Sequence, residues 1–195
     1  MRYIHFILCI ILYSCTSSVE KTENQEIVTS EDLDPKYIDA NENFKKYVSK
    51  AFYLNSIDES GMFWSDDASD TYHGFVTWKT LNKNKKVVSY LSETLSEWEY
   101  PSFDLKETDV SKLYPYLRTS DMHLTYLTGT DEAIIAVAFG QLYIDGIIDQ
   151  EMIELVDSSL KRQLHSELLG TWPEDYQAKR KEILEGMFNI IQKMK

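Results

Sequence analysis

Cysteine is nearly absent from this chain. Its two residues, Cys9 and Cys15, both fall within the first fifteen positions. Residues 16–195 therefore carry no thiol, which excludes disulfides and a cysteine nucleophile there and leaves the core to hold the fold alone. Positive charge is also short: 20 Lys and Arg stand against 32 Asp and Glu, a net charge of −12. That balance excludes phosphate-backbone binding, which needs clustered cations, and so excludes nucleic acid as a partner. As a whole it also opposes electrostatic docking on an anionic membrane. Long apolar runs are missing. The longest stretch in the N-terminal segment, Ile4 to Leu12, is interrupted by His5 and is far shorter than the ~20 residues of a membrane-spanning helix. Gly-x-Ser-x-Gly elbows, Gly-rich phosphate loops and His-Glu-x-x-His are absent, and no repeat consensus is present. No catalytic residue, binding residue or cofactor is assigned.

What is present begins at the N-terminus. Arg2 supplies a positive n-region and Ile4–Leu12 an apolar h-region, the layout of a secretory signal peptide. Leu12-Tyr13-Ser14-Cys15 then resembles the lipobox of bacterial lipoprotein precursors. Leu12, Ser14 and Cys15 match that motif, and Tyr13 is bulkier than its usual occupant. The resemblance covers these residues only and says nothing of the remaining fold. It implies cleavage after residue 14, lipidation of Cys15, and a protein anchored to the membrane rather than spanning it. Several acyl chains, typical of the family, imply stable attachment, since a single chain binds marginally. Thr16 stands where an Asp would commonly signal inner-membrane retention, which leans toward the outer membrane of the bacterial envelope.

Three regions follow: a signal peptide at 1–14, a lipidated Cys and flexible tether at 15–33, and a helical domain at 34–195. Residues 16–33 are rich in Ser, Thr, Glu, Asn and Gln and hold too little apolar surface to fold alone. From Asp34 onward apolar residues recur at three and four, predicting an all-α bundle of about six or seven helices. Asp34-Pro35 predicts the start of a helix carrying Tyr37, Phe44, Tyr47, Val48, Ala51 and Phe52 on one face. Asn82 or Asn84 would cap a helix through Val87, Leu91 and Leu95 that stops at Tyr100-Pro101. Asp109 would cap a short helix to Leu117. A further short helix from Ser120-Asp121 would end at Gly129, and Thr130-Asp131-Glu132 would open a new one. Ala133–Ile144 is apolar all round, which marks the central buried helix, closed by Gly146. Asp149 would start a helix with Ile153, Val156, Leu160 and Leu164 inward and its charges outward, ending at Gly170. Thr171-Trp172-Pro173-Glu174 reads as a capping box for the last helix, which would bury Tyr176, Ile183, Leu184, Met187, Phe188, Ile191 and Met194 and carry Lys179, Arg180 and Lys181 outward.

Ser60 to Gly74 is the least regular segment and holds the densest cluster of ligand-type residues: Asp66, Asp67, Asp70 and His73. On a helix, Asp66, Asp70 and His73 would share one face. Oxygen donors suit Ca²⁺ or Mg²⁺, and His with carboxylates suits Zn²⁺ or Mn²⁺. The run lacks the EF-hand ligand order, and a solvated loop with helix caps accounts for the same residues, so no metal is assigned. Trp64, Trp78, Trp98 and Trp172 are expected to pack rather than to stack on glycans.

Address and charge together predict a lipid-anchored, non-enzymatic interaction module for a basic protein partner, in the manner of an immunity protein. Two alternatives remain open. One is an envelope hydrolase using carboxylates near Asp66–Asp70 on cell-wall or polysaccharide material. The other is a structural envelope component.

Overall fold

A single helix organises the body of the protein. The computed structural model describes residues 34–195, so Cys15, the lipobox and the tether lie outside the described residues. The central helix is α6, Met122–Asp145, and its residues from Leu127 to Tyr143 are almost continuously buried. Before it come a 3-10 turn at Tyr37–Asp39 and helices α1 (Glu42–Tyr47), α2 (Lys50–Asn55), α3 (Asp66–Leu81), α4 (Val87–Glu97) and α5 (Val110–Leu117). After it come α7 (Gln150–Gln163), α8 (Ser166–Leu169) and α9 (Glu174–Gln192). The described residues hold helices and no strand, so the all-α expectation holds. Among them no helix is long and apolar enough to cross a membrane.

An all-apolar helix is stable only if neighbours cover it on every side. Here α3 runs along α6, while α7 folds back antiparallel on it through the turn at Gly146–Asp149. Helix α9 then packs on α7, and α1, α4 and α5 cover the remaining flanks. Gly146 takes φ 75° and closes α6 with a left-handed cap, as its sequence position predicts. The main core joins Phe44, Phe63, Phe75, Ile134, Phe139, Leu142, Met152, Leu184 and Met187, none more than slightly exposed. Each large apolar side chain buried in this way contributes roughly 1.5–3 kcal/mol. A smaller cluster of Val110, Leu113, Leu127 and Leu168 lies under α5. Asp109 caps α5 through the Ser111 amide, as expected.

Several expectations are corrected. The first helix is three pieces. The Asn41 and Ser49 side chains accept bonds from the downstream amides of Asn43 and Phe52 respectively, and so restart the chain twice. Ala51 consequently faces solvent, while Tyr53 is buried. The supposedly irregular stretch up to Gly74 becomes helical at Asp66, where the Ser65 hydroxyl accepts from the Ala68 amide. Helix α4 starts after Lys86, with no side-chain cap from Asn82 or Asn84. Helix α6 runs unbroken through Gly129 and Thr130, because Thr130 and Asp131 turn inward rather than cap an end. Helix α7 ends at Gln163, and α8 intervenes before Gly170. No capping box forms at Thr171. Its hydroxyl donates to the Leu168 carbonyl at 2.7 Å instead, and α9 begins after Pro173.

Candidate functional site: a buried charge network beneath an acidic groove

Arg162 and Arg180, expected on outer faces, are 0% and 1% exposed. The reason is partnership. Arg162 Nε and Nη2 fork onto the Asp131 carboxylate, itself 0% exposed, with Nε to Oδ1 at 3.2 Å. Nη1 of the same guanidinium donates to the carbonyls of Leu105 and Glu107 at 2.7 and 2.8 Å. This planar fork ties the loop before α5 to the start of the buried part of α6, a task lysine cannot perform. Gln163 Nε2 donates to the second Asp131 oxygen at 2.9 Å, and Gln163 Oε1 accepts from Arg180 Nη2 at 2.9 Å. Arg180 Nη1 reaches Ser60 Oγ at 3.2 Å, and that hydroxyl shares a bond with Tyr176 OH at 2.8 Å. Tyr176 donates to Asp58, which also pairs with Lys179 at the surface. One continuous chain of polar contacts thus runs from the centre of α6 to solvent.

The network surfaces at Glu132. Its Oε1 lies 3.6 Å from Arg180 Nη2, and its side chain is 12% exposed. The Arg180 guanidinium stacks under the Trp172 ring at 3.8 Å. Glu132 and Trp172 both line an open groove of about 450 Å³. Its other walls include Glu59, Asp66, Asp67 and Thr128, and its lining contains four carboxylates and no Lys or Arg. Burial pushes the Glu132 carboxyl up to about 7, against the opposing pull of Arg180. Burial also raises Asp67, and its neighbours Asp66 and Asp70 add to the rise. Burial lowers Arg180 from its ordinary value, with Glu132 resisting. The groove floor is therefore a carboxyl that changes charge near neutrality, and the rim carries further acids.

Gly129 makes the groove. A Cβ there would stand 2.1 Å from Asp67 Oδ2, so only glycine lets Asp67 of α3 lie against α6. Asp66 and Asp67 occupy the first turn of α3, where the helix dipole favours them.

The metal-type candidates separate. Asp66 faces the groove, Asp70 is exposed, and His73 Nε2 lies 3.3 Å from Asp34 Oδ1. Among the described residues, no group of three or more His, Cys, Asp or Glu is arranged to hold a metal ion. Trp64, Trp78 and Trp98 pack against the core, and Trp172 covers Arg180.

Sequence reading missed Glu132, Arg162 and Arg180. A signal existed for Arg180: it lies three before Ile183, four before Leu184 and seven before Met187, on the apolar stripe itself. No protein-family model matches the chain, and no curated protein or solved structure shows significant similarity to it.

Proposed function

We propose that this is a lipid-anchored protein of the bacterial envelope, held at Cys15 in the outer membrane, that binds a basic protein through the acidic groove. One observation carries the reading. The groove gathers four carboxylates and an aromatic wall, and its lining holds no cation. A Lys or Arg side chain entering it would meet Asp67 and Glu132, with Trp172 beside them for a cation–π contact. The same cation would favour ionised Glu132, so binding would release a proton and strengthen as pH rises through about 7.

Calorimetry with a short oligolysine peptide and its fully acetylated counterpart tests this. Asp67→Asn and Glu132→Gln should each weaken oligolysine binding about tenfold or more, the scale of a lost partly buried charge pair. Unchanged affinity in both variants would place the contact elsewhere on the acidic surface and end the groove reading. Intact mass of the chain expressed in a lipoprotein-processing bacterium, against Cys15→Ala, tests the anchor.

One observation favours a second reading, a carboxylate hydrolase. Glu132 stays largely protonated up to neutrality beside other acids in one groove, a division of roles that general acid–base catalysis uses. Release of reducing ends from cell-wall polysaccharide, lost in Glu132→Gln, would turn the assignment to that enzyme.

A further inference from the structure

The opposite end of α3 and α6 carries a surface of contrary character. A wide groove of about 750 Å³ opens there between the last turns of the two helices. Its floor is apolar: Val76, Val87, Ile144 and Ile147. Its rim is Lys79, Lys83, Lys85 and Lys86. Lys79 pairs with Asp145 at 2.6 Å, and Asp149 is the other acid in the lining. Lys83, Lys85 and Lys86 have no ion-pair partner among the described residues. Two large apolar side chains stand out from this corner, Leu81 at 81% exposure and Ile147 at 54%.

The described chain also begins beside this corner. Asp34 meets His73, one helical turn before Val76. The Lys36 carbonyl accepts from Tyr143 OH at 2.9 Å, and Tyr143 directly precedes Ile144 of the groove floor. The first described residues therefore lie on the flank of this corner.

We propose that the Lys79–Lys86 corner, with Leu81 and Ile147, is a membrane-facing surface that rests on anionic lipid headgroups. For its orientation the proposal rests on the anchor at Cys15. The chemistry of the corner supports it independently. Three lysines without ion-pair partners, beside an apolar floor with two protruding aliphatic side chains, match a headgroup layer in both charge and polarity. The net charge of −12 opposes docking of the body as a whole but not of this corner. Charges more than about 8 Å apart are largely screened at physiological ionic strength, and the acidic groove lies roughly 20 Å away along α3. Within the corner Lys79 offsets Asp145, and Asp149 stands against Lys83, Lys85 and Lys86, so a lipid surface meets a local positive excess.

The test uses the full chain with Cys9→Ser and Cys15→Ser, so that no acyl chain contributes, and an environment-sensitive fluorophore on Leu81→Cys. A second preparation carries the fluorophore on Glu182→Cys, at an exposed position of α9. Vesicles of phosphatidylcholine alone, or with added phosphatidylglycerol, are titrated in. The expected result is a blue shift at position 81 with the anionic vesicles only, reversed by high salt and absent at position 182. Combined Lys83→Glu, Lys85→Glu and Lys86→Glu should weaken this binding about 100-fold, taking about fivefold per lysine. All three are exposed, so the fold should survive, and circular dichroism confirms it. Equal shifts at both positions, no preference for anionic vesicles, or full binding by the charge-reversed chain would each overturn the proposal. Failure of the anchor reading shows separately, as an unacylated Cys15 in the wild-type chain.

Discussion

The two ends of the α3–α6 pair are built from the same helices and differ in sign. At one end Asp66 and Asp67, in the first turn of α3, face Glu132 in the middle of α6, and at the other lie Lys79 in the last turn of α3 and the lysines that follow it. Part of this polarity is generic, since acids at a helix start and bases at its end complement the dipole. The ends differ more in depth than in sign. The acidic end is rooted in Asp131, Arg162, Gln163 and Arg180, all essentially buried. At the lysine end Lys79 is held by Asp145, while Lys83, Lys85 and Lys86 are exposed beside an apolar floor. Substitutions at the first end should therefore register mainly in stability and protonation, and those at the second mainly in surface affinity.

The largest break comes from Arg162→Leu. It leaves Asp131 without its counter-ion in the interior and strips two carbonyls, Leu105 and Glu107, of their donor. Removing one partner of a buried pair costs about 3–5 kcal/mol. Denaturant titration should show a loss of at least that size, or no folded protein at all. Arg162→Lys should recover little, because an ammonium cannot bridge Asp131 and both carbonyls. A loss below about 1 kcal/mol would mean that the network is not what roots the acidic end.

Glu132→Gln sharpens the contrast through pH. The folded-state value of Glu132 is raised from 4.5 to about 7. Its contribution is then fully present below about 4.5 and lost as pH rises to about 7, so the wild type should weaken across that window by up to about 3 kcal/mol. Asp67, also raised, acts in the same direction from its lower starting point. The Gln variant should flatten this slope. Asp58 and Asp157 are lowered, by bonds to Lys179 and Lys161 among others, and act oppositely as pH falls toward the acid range. A chemical-denaturation series from acid to neutral pH separates the two slopes. An unchanged neutral-side slope in Glu132→Gln would show that Glu132 is ionised throughout.

At the other end, Lys79→Met removes the pair with Asp145, whose partners are 16% and 25% exposed. Partial exposure limits the loss to about 1 kcal/mol or less, and the methionine keeps the stem's apolar cover over the floor. Thermal unfolding should move by only a few degrees.

What could be read locally was the part fixed by local forces. The apolar run of α6, the left-handed cap at Gly146 and the Asp109 cap need only neighbours in sequence. What failed did so where a tertiary partner overrode a local preference. Thr130-Asp131-Glu132 carries the chemistry of a helix start. Arg162, 31 positions later, claims Asp131, and the helix runs on through. Arg180 looks solvent-bound as a lone charge and is interior because Trp172, Gln163 and Glu132 surround it. The Asp66–His73 cluster was visible, yet its meaning lay across the fold. Asp67 belongs with Glu132 of α6, and His73 with Asp34. No periodicity connects such residues.

The smallest expected effect on stability, and the most selective on function, belongs to Gly129→Ala. The new methyl collides with Asp67 Oδ2 and Cγ, and at 3.4 Å it touches Tyr100. The colliding atoms end a short side chain beside open space, so Asp67 can swing away by one rotamer. Alanine meanwhile gains about 1 kcal/mol of helix propensity over glycine, which offsets the strain of the shift. The midpoint of unfolding should stay within a few degrees of the wild type. The groove should not stay the same. Asp67 displaced toward solvent loses its desolvation, its carboxyl returns toward the ordinary range, and oligolysine binding weakens severalfold, while vesicle binding at the lysine corner is untouched. A chain that keeps its stability, loses the peptide and keeps the vesicle would show that the two ends act independently. A large stability loss would instead show Asp67 locked in place, and the groove as part of the core rather than a surface built on it.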